Sequence, residues 1–274
     1  MGNGRETSMK ALISGSNGFV GKRLVELLKV MECESVGIPR ETYYNSPKLA
    51  ELFQKEQPDL IFHCAAYGNM AGQDDIPHTI QANILGLVSM ISASLDVPYS
   101  AFINISTSSV LLDYETFYSA SKGAGERLAR AFENQYNAPI VTVRPYSLYG
   151  PGEAEFRFIP TVFRSCLMGE EMKLAPNAVH DWTYVDDFCE ALIDIATHAH
   201  EYKGKIVGIG TGIQTSNEQI VGLIQNITGK PAHIGKEQDL RLFDTYDWKA
   251  RPDDYLCSTK IIKGLKSVYA KSKT

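Results

Sequence analysis

The sequence predicts an α/β fold with a doubly wound parallel sheet, and three observations lead to this class. Short apolar segments alternate with amphipathic helical segments from residue 10 to residue 143, a rhythm typical of right-handed crossovers in a parallel sheet. Segments such as 59–63 are apolar on both faces, as strands covered on both sides require. The composition, 44% hydrophobic and 22% charged over 274 residues, is ordinary for a large globular domain with an appendage.

The pattern defines the elements in order. In the first part of the chain we expect strands at 10–15, 35–38, 59–63, 101–106 and 140–143, with helices at 19–30, 49–56, 76–95 and 117–136. After residue 152 the alternation weakens, and residues 153–180 predict one helix and irregular chain. We then expect a helix at 185–199, a strand at 205–209, and helices at 217–228 and 259–269.

Charge, apolar runs and cysteines exclude several classes of protein. The net charge is −5, from 27 basic and 32 acidic residues, and no basic tract suggests a nucleic-acid partner. No apolar run reaches the ~20 residues of a membrane helix. The polar residues 1–8 fit neither a signal peptide nor N-myristoylation, and we expect Met9 to be the native start. The five cysteines form no C-x-x-C pair, and His198 and His200 lack a third ligand, so we expect reduced thiols, no metal and a cytoplasmic protein.

A glycine-rich turn, Gly15-Ser-Asn-Gly18-Phe-Val-Gly21, joins the first predicted strand to the first helix. Glycine allows a tight turn and lets backbone amides approach a pyrophosphate, and the helix N-terminus adds partial positive charge. A turn selected for backbone shape alone is the alternative. We predict a Rossmann-type dinucleotide-binding domain at 1–152, completed by about 181–212. Residues 153–180 and 213–274 would form a small C-terminal substrate-binding lobe.

The end of the second predicted strand indicates which dinucleotide binds. It reads Val36-Gly-Ile-Pro39-Arg40, with no carboxylate before Glu41. An acidic residue there accepts the ribose 2′-hydroxyl of NAD, whereas an arginine suits the 2′-phosphate of NADP. We therefore predict NADP, with NAD as the alternative. A solvated arginine beside a proline turn is the competing interpretation of Arg40.

Tyr118-Ser-Ala-Ser-Lys122 has the spacing of a proton-relay pair, although spacing alone does not identify one. Two other pairs match it, Tyr44/Lys48 and Tyr269/Lys273. A proline interrupts the first of these, and the second lies at the C-terminus. Tyr118 and Lys122 instead share one face of a helix that follows a strand ending in Ser106-Thr107.

This pair suggests a specific chemistry. A tyrosine has an ordinary pKa of about 10, and a neighbouring ammonium lowers that pKa by favouring the phenolate. The phenol could then exchange a proton with a sugar hydroxyl near neutral pH. Thr107, at the preceding strand end, could hold the substrate oxygen. An ordinary exposed pair is the alternative.

Seven segments in order resemble the extended short-chain dehydrogenase/reductase family, in its NAD(P)-dependent sugar epimerase/dehydratase branch. They are Gly15–Gly21, Ile61-Phe-His-Cys-Ala-Ala66, Asn83-Ile-Leu-Gly86, Ile105-Ser-Thr107, Tyr118/Lys122, Arg144-Pro-Tyr-Ser-Leu-Tyr-Gly-Pro151 and His180-Asp-Trp-Thr-Tyr-Val-Asp-Asp187. The resemblance covers about 210 residues, and it implies a nicotinamide cofactor, a nucleotide-sugar substrate and a homodimer.

The resemblance also implies roles for residues at matching positions. The cofactor-binding set would comprise Gly15, Gly18, Phe19, Val20, Gly21, Arg40, Cys64, Ala65, Ala66, Tyr67, Asn83, Lys122 and Tyr146. Tyr118 would be the acid/base, with Thr107 and Lys122 as the other catalytic residues. Thr107, Ser108, Ser147 and His180 would face the substrate.

Three departures from the family pattern bear on the substrate. Ser108-Ser109 replace the Asp-Glu pair that sugar dehydratases carry, which argues against a 4,6-dehydratase. Only ten residues separate Thr107 from Tyr118, so the loop that often covers the sugar is short. His180 stands where relatives place an arginine against the nucleotide phosphate.

Two classes of function remain open. The first is a nucleotide-sugar oxidoreductase that transfers hydride at a hydroxyl- or keto-bearing carbon, either an epimerase or a 4-ketosugar reductase. The second is a non-catalytic NAD(P)-binding regulator on the same fold. For either we expect a homodimer formed by the helices at 76–95 and 117–136, with Tyr114, Leu128 and Phe132 as candidates for burial.

Overall fold

The structure, a computed structural model, describes residues 9–70, 72–175, 177–237 and 239–272. Its main feature is a seven-stranded parallel sheet with the strand order β12-β9-β5-β4-β3-β1-β2. The strands of this sheet are β1 (Lys10–Ser14), β2 (Glu34–Ile38), β3 (Leu60–His63), β4 (Ala101–Ile105), β5 (Ile140–Pro145), β9 (Ile206–Gly210) and β12 (Tyr255–Leu256). The predicted α/β class with a doubly wound parallel sheet is confirmed.

Two small sheets and ten α-helices complete the described fold. The small sheets contain β6 (Ser147–Tyr149), β8 (Val179–Tyr184) and β10 (Gln214–Ser216) in one, and β7 (Glu171–Leu174) and β11 (His233–Glu237) in the other. The helices are α1 (Phe19–Val30), α2 (Ser46–Glu56), α3 (Ile76–Ile80), α4 (Gly86–Ser94), α5 (Phe117–Tyr136), α6 (Phe158–Met168), α7 (Val185–Thr197), α8 (Ala199–Tyr202), α9 (Asn217–Thr228) and α10 (Ile261–Lys271). A π-helical segment, Gln81–Leu85, joins α3 to α4.

The chain forms two compact units. The first comprises the described residues of Met1–Val110, with Glu115–Arg144 and Leu192–Val207; the second comprises Leu111–Tyr114, Pro145–Ala191 and the described residues of Gly208–Thr274. Each has its own apolar core. In the first unit Phe53, Phe102 and Ile140 are among the buried residues; in the second, Tyr149, Ile159 and Leu265. The division at 152, 181 and 212 that the sequence suggested stays a prediction about domains.

Parallel strands in the first unit are covered on both faces. Ala11, Leu12 and Ile13 in β1 are fully buried, and all four residues of β3 are buried. The carboxyl ends of β1, β2 and β3 are adjacent, since β1 pairs with β2 through Ser14 and Ile38 and with β3 through Ser14 and His63. Ligands of open α/β sheets bind at that edge.

The expectation of one helix and irregular chain at 153–180 is wrong. That stretch holds α6 and the strands β7 and β8. Strand β8 contains three buried polar residues, His180, Asp181 and Thr183. A buried strand is normally recognised by apolar residues, so the sequence pattern did not predict this one. None of the described helices combines the length and apolar character that a membrane span requires.

Candidate active site

The glycine turn between β1 and α1 packs closely on itself and on its neighbours. Gly15 has φ +68°, a conformation that side chains rarely adopt, and a Cβ there would lie 2.8 Å from the backbone nitrogen of Ala65. A Cβ on Gly21 would overlap the carbonyl oxygen of Gly15. The turn is closed by a 2.9 Å hydrogen bond from the Gly18 N–H to that same oxygen. Glycine is therefore required at both Gly15 and Gly21.

Helix α1 begins at this turn with a polarity suited to an anion. Gly18 is its N-cap, no side chain of the described residues caps this end, and the first turn holds no acidic residue. The helix dipole places partial positive charge there. A bare, glycine-lined helix N-terminus fits the pyrophosphate of a dinucleotide, since any larger side chain would fill the space that the phosphates need.

Ser14 ties the loop after β3 to the strand that precedes the glycine turn. Its hydroxyl lies 2.9 Å from Nδ1 of His63 and accepts the N–H of Ala65 at 3.2 Å. Burial, with the nearby Lys122 cation, lowers the pKa of His63 to about 3, so this ring is neutral. Burial also raises the pKa of the Cys64 thiol to about 12, so Cys64 presents a thiol rather than a thiolate. Residues 64–66 are thus held beside the turn by neutral groups.

Asn83 connects that loop to helix α5. It is buried, its Oδ1 accepts the N–H of Tyr67 at 2.9 Å, and its Nδ2 donates to the Tyr67 carbonyl at 2.8 Å and to Ser121 Oγ at 2.9 Å. The Ser121 hydroxyl in turn donates to the carbonyl of Tyr118 at 2.8 Å. These bonds join the π-helical segment, the loop after β3 and the start of α5 into one network.

The candidate acid/base pair lies on the first turns of α5. Thr116 caps this helix through a reciprocal pair of bonds with Ser119, which fixes where the helix begins and so where Tyr118 stands. Lys122 follows Tyr118 by four residues and is only 4% exposed. Burial lowers the pKa of Lys122 from 10.5 to about 8, while Cys64 and Glu126 oppose that shift.

Two further hydrogen-bonded pairs lie near Tyr118 and Lys122 in the sequence or at the preceding strand end, Glu126 with Arg144 and Thr107 with Ser109. Glu126, one turn beyond Lys122, is held by a bidentate pair of bonds from Arg144 at 2.8 and 2.6 Å. Thr107, after β4, has its hydroxyl 2.9 Å from Ser109 Oγ and accepts the Ser109 N–H at 3.2 Å. Ser108, the next residue in the chain, is buried. Thr107 and Ser109 are both half-buried, so their bonded hydroxyls form an anchored pair that is partly exposed.

The predicted residues Tyr146, Ser147 and His180 lie in the second unit. Tyr146 is 8% exposed, and its ring lies 6.3 Å from that of Trp248. Ser147 is the first residue of β6 and pairs with Trp182 of β8. Burial, with Arg241 close by, lowers the pKa of His180 to about 4. His180 is therefore neutral and does not supply the positive charge of the arginine that it replaces.

A cavity of about 280 Å³ opens in the second unit. Its lining includes the predicted residue Tyr146 and five aromatic or charged side chains that sequence analysis missed: Tyr246, Asp247, Trp248, Lys249 and Arg251. Asp247 bonds Arg251 at 2.9 Å and contacts Lys249 at 3.3 Å. The only feature of the sequence that could have indicated this cavity was the cluster of aromatic and charged residues at 246–251.

Asp181 is another residue to which sequence analysis assigned no role. Its buried carboxylate accepts bonds from the N–H and the hydroxyl of Thr211 at 2.8 and 2.6 Å, from Gly212 N–H at 2.9 Å and from Ala250 N–H at 3.0 Å. A carboxylate with four donors around it needs no cation. Asp181 holds the segment at 250, and with it Arg251, in place. Its position beside His180 in the quoted motif was the available signal.

Comparisons with known proteins identify the family. Residues 11–210 match the model of the NAD dependent epimerase/dehydratase family, so the chain belongs to that family. A dTDP-glucose 4,6-dehydratase of Xanthomonas campestris is 26% identical over 225 residues, covering 71% of this chain. This chain spans 63% of that relative's length. Protein CapI of Staphylococcus aureus is 25% identical over 307 residues, covering 90% of this chain and 91% of the relative.

Solved structures share the fold. MoeE5 in complex with UDP-glucuronic acid and NAD superimposes with a TM-score of 0.84 at 22% identity, covering 96% of this chain and 99% of that one. UDP-glucose 4-epimerase of Thermotoga maritima, solved with UDP-glucose, gives 0.81 at 20% identity, covering 97% and 100%. At these identities the likeness concerns the fold alone.

Proposed function

We propose that this protein is an NADP-dependent nucleotide-sugar oxidoreductase that transfers hydride at a hydroxyl- or keto-bearing carbon of the sugar. The observation that carries this proposal is the buried Lys122, four residues after Tyr118, on a helix joined through Asn83 to the loop beside the glycine turn. We also propose that it works in the cytoplasm and as a homodimer.

The first unit fits a dinucleotide. The glycine turn and the start of α1 would hold the pyrophosphate, residues 64–67 the ribose and base, and Arg40 the 2′-phosphate that distinguishes NADP. Lys122 would also hold the nicotinamide ribose. When bound, the nicotinamide supplies or accepts the hydride.

Three side chains would manage the proton. Tyr118 would donate it to the sugar oxygen or take it, and the Lys122 ammonium would favour the phenolate by charge. With a pKa of about 8, Lys122 is still mostly protonated at neutral pH. Thr107, anchored by Ser109, would hold the substrate oxygen.

The substrate proposal draws on relatives and on one departure from them. One of the named relatives is a dTDP-glucose 4,6-dehydratase, and the two neighbouring structures hold UDP-glucose or UDP-glucuronic acid, which supports a nucleotide-linked sugar here. Ser108 and Ser109 provide no carboxylate for the elimination of water, which favours a 4-epimerase or a 4-ketosugar reductase over a dehydratase.

One experiment tests the proposal and separates the two activities. The protein is incubated with NADPH or NADH and with UDP- or dTDP-glucose and their 4-keto derivatives. Absorbance follows the reduced cofactor, and NMR follows the sugar. A reductase consumes one NADPH per product, whereas an epimerase changes the sugar with no net loss of cofactor. Cofactor binding with no turnover of any of these sugars would reject the enzyme and favour the regulator.

A further inference from the structure

Arg40 lies on a segment that is fastened to the glycine turn. It opens a short 3₁₀ turn, Arg40–Thr42, directly after β2. The next residue, Tyr43, is buried, and its hydroxyl accepts the N–H of Gly15 at 2.6 Å. The end of the second strand is where dinucleotide-binding sheets contact the adenosine ribose. The backbone that carries Arg40 is therefore held beside the glycine turn.

His78, on helix α3 after strand β3, contacts the side chain of Arg40. Its Nε2 lies 2.9 Å from Nη2 of Arg40. Its backbone N–H is held by Asp75 Oδ1 at 2.9 Å, and its ring packs edge-on against Tyr67 with 4.3 Å between centroids. Tyr67 is itself held by Asn83. His78 is thus a positioned side chain rather than a freely rotating surface group.

The chemistry of this pair suits a phosphate. A guanidinium has no acceptor, so Nε2 of His78 accepts the bond from Arg40. Arg40 makes no ion pair with a carboxylate of the described part of the chain. The pair thus offers a cation that forms no ion pair with a described carboxylate, on exposed Arg40, and a basic ring nitrogen on half-buried His78. A ribose 2′-hydroxyl would instead call for a carboxylate.

We propose that His78 is, with Arg40, the second ligand of the 2′-phosphate of NADP and so determines cofactor specificity. This inference rests on the proposed use of NADP. The guanidinium would exchange its bond to Nε2 of His78 for charge-assisted bonds to the phosphate, and Nε2 would take up one proton from solvent and donate it to a phosphate oxygen. Two contacts from different segments would select the phosphate by position as well as by charge.

The test measures binding to the full chain by calorimetry, without turnover. The probes are NADPH and NADH, with 2′,5′-ADP and 5′-ADP as fragments that isolate the phosphate. The variants are Arg40→Ala, His78→Ala and His78→Gln, whose amide nitrogen can donate from a place near Nε2. His200→Ala is the matched control, since that side chain is 80% exposed on α8. Thermal unfolding checks that each variant is folded.

We expect His78→Ala to weaken NADPH and 2′,5′-ADP about tenfold, the loss of one charge-assisted hydrogen bond, while NADH changes less than about twofold. His78→Gln should recover part of the loss, and His200→Ala should change nothing. If the wild type prefers NADPH and Arg40→Ala removes the preference, but His78→Ala keeps it, the inference fails and the proposed function stands. Equal weakening of NADPH and NADH by His78→Ala also overturns it. Equal affinity of the wild type for the two cofactors overturns the NADP proposal itself.

Discussion

At the scale of single residues, the hydroxyl of Tyr118 is the most direct test of the proposed chemistry. Tyr118→Phe removes only that hydroxyl, so the ring still packs and α5 keeps its Thr116 cap. We expect kcat to fall about 10²–10⁴-fold, the range of general acid–base catalysis, with the Kd for NADPH unchanged. Steady-state kinetics and a fluorescence titration measure the two quantities. A variant that keeps more than about a tenth of the rate would place the proton transfer on another group.

Deprotonation of Lys122 should raise the free energy of unfolding as the pH increases, and it should lower turnover over the same range. Its pKa falls from 10.5 in the unfolded chain to about 8 in the fold, so between these values the unfolded state binds more protons and the free energy of unfolding rises with pH. Below about pH 8 the buried ammonium destabilises the fold. Lys122→Met should therefore raise the free energy of unfolding near pH 7 by up to about 3 kcal/mol and flatten the rise above pH 8.

Urea denaturation near pH 7 and near pH 9.5 measures this effect, with exposed Lys173→Met as the control that should change neither value. Wild-type turnover should decline as the pH rises through about 8, because the ammonium is then lost. Lys122→Met should also bind NADPH less tightly. A wild-type stability that is flat between these two pH values would contradict a depressed pKa for Lys122.

Some site residues were accessible from sequence and others were not. Tyr118 and Lys122 could be singled out because helix context separates them from the other Y-x-x-x-K pairs. Tyr43 and His78 could not, since each contacts a partner 28 or 38 residues away through a fold that spacing does not encode. The burial of Lys122 and its lowered pKa could not be predicted from sequence either, because both depend on the surroundings of the residue rather than on its type.

At the scale of elements, the join between the π-helical segment and α5 depends on Asn83. Its amide makes three bonds within a buried site, so Asn83→Ala leaves the backbone of Tyr67 and the Ser121 hydroxyl short of a partner. We expect a loss of about 1–3 kcal/mol in the free energy of unfolding and weaker NADPH binding. Denaturant titration and calorimetry measure these changes. Asn226→Ala, at an exposed position of α9, should leave both unchanged; equal effects of the two variants would remove the special role of Asn83.

Helices with caps were the elements that sequence analysis located best. The predicted helices at 19–30, 117–136 and 217–228 have those limits in the structure. Two of them begin with reciprocal side-chain caps, at Thr116 and at Ser216, which are local signals. The helix predicted at 76–95 contains a π segment instead, because one extra residue in a turn barely alters the apolar pattern. The strand β8 was missed because partners distant in sequence, such as Thr211 and Ala250, satisfy its buried Asp181.

At the scale of the whole molecule, the order of motifs predicted the fold class and the family, while the cavity of the second unit is lined by segments without such motifs. Several of the motifs, such as the glycine turn and the Tyr118/Lys122 pair, belong to a strand end or a helix start, where local sequence and backbone geometry agree. The cavity residues at 246–251 lie instead in chain with little regular structure. Their identity can vary without cost to the sheet, so sequence pattern indicated the glycine turn and the start of α5 in more detail than the lining of this cavity.

Assembly is the last property of the whole molecule that can be tested. Five large apolar side chains within residues 76–94 and 117–136, the part of the first unit expected to form the dimer, are exposed: Ile76, Ile80, Leu85, Phe117 and Tyr136. Of the residues first expected to be buried between two copies, Phe132 packs against its own core, and Tyr114 contacts Phe243 of the same chain while half of it stays exposed. The expected dimer would therefore be held by the exposed set, because burying such side chains lowers their contact with water.

Sedimentation at micromolar protein should give twice the 30.3 kDa mass of one chain. Leu85→Asp combined with Tyr136→Asp should shift the mass to that of one chain, since each change places a charge where apolar surface would be buried. Ile213→Asp, which alters a side chain 68% exposed in the second unit, is the matched control and should leave the dimer intact. A single-chain mass for the wild type would reject the dimer. Dissociation by the control variant would place the interface on the second unit instead.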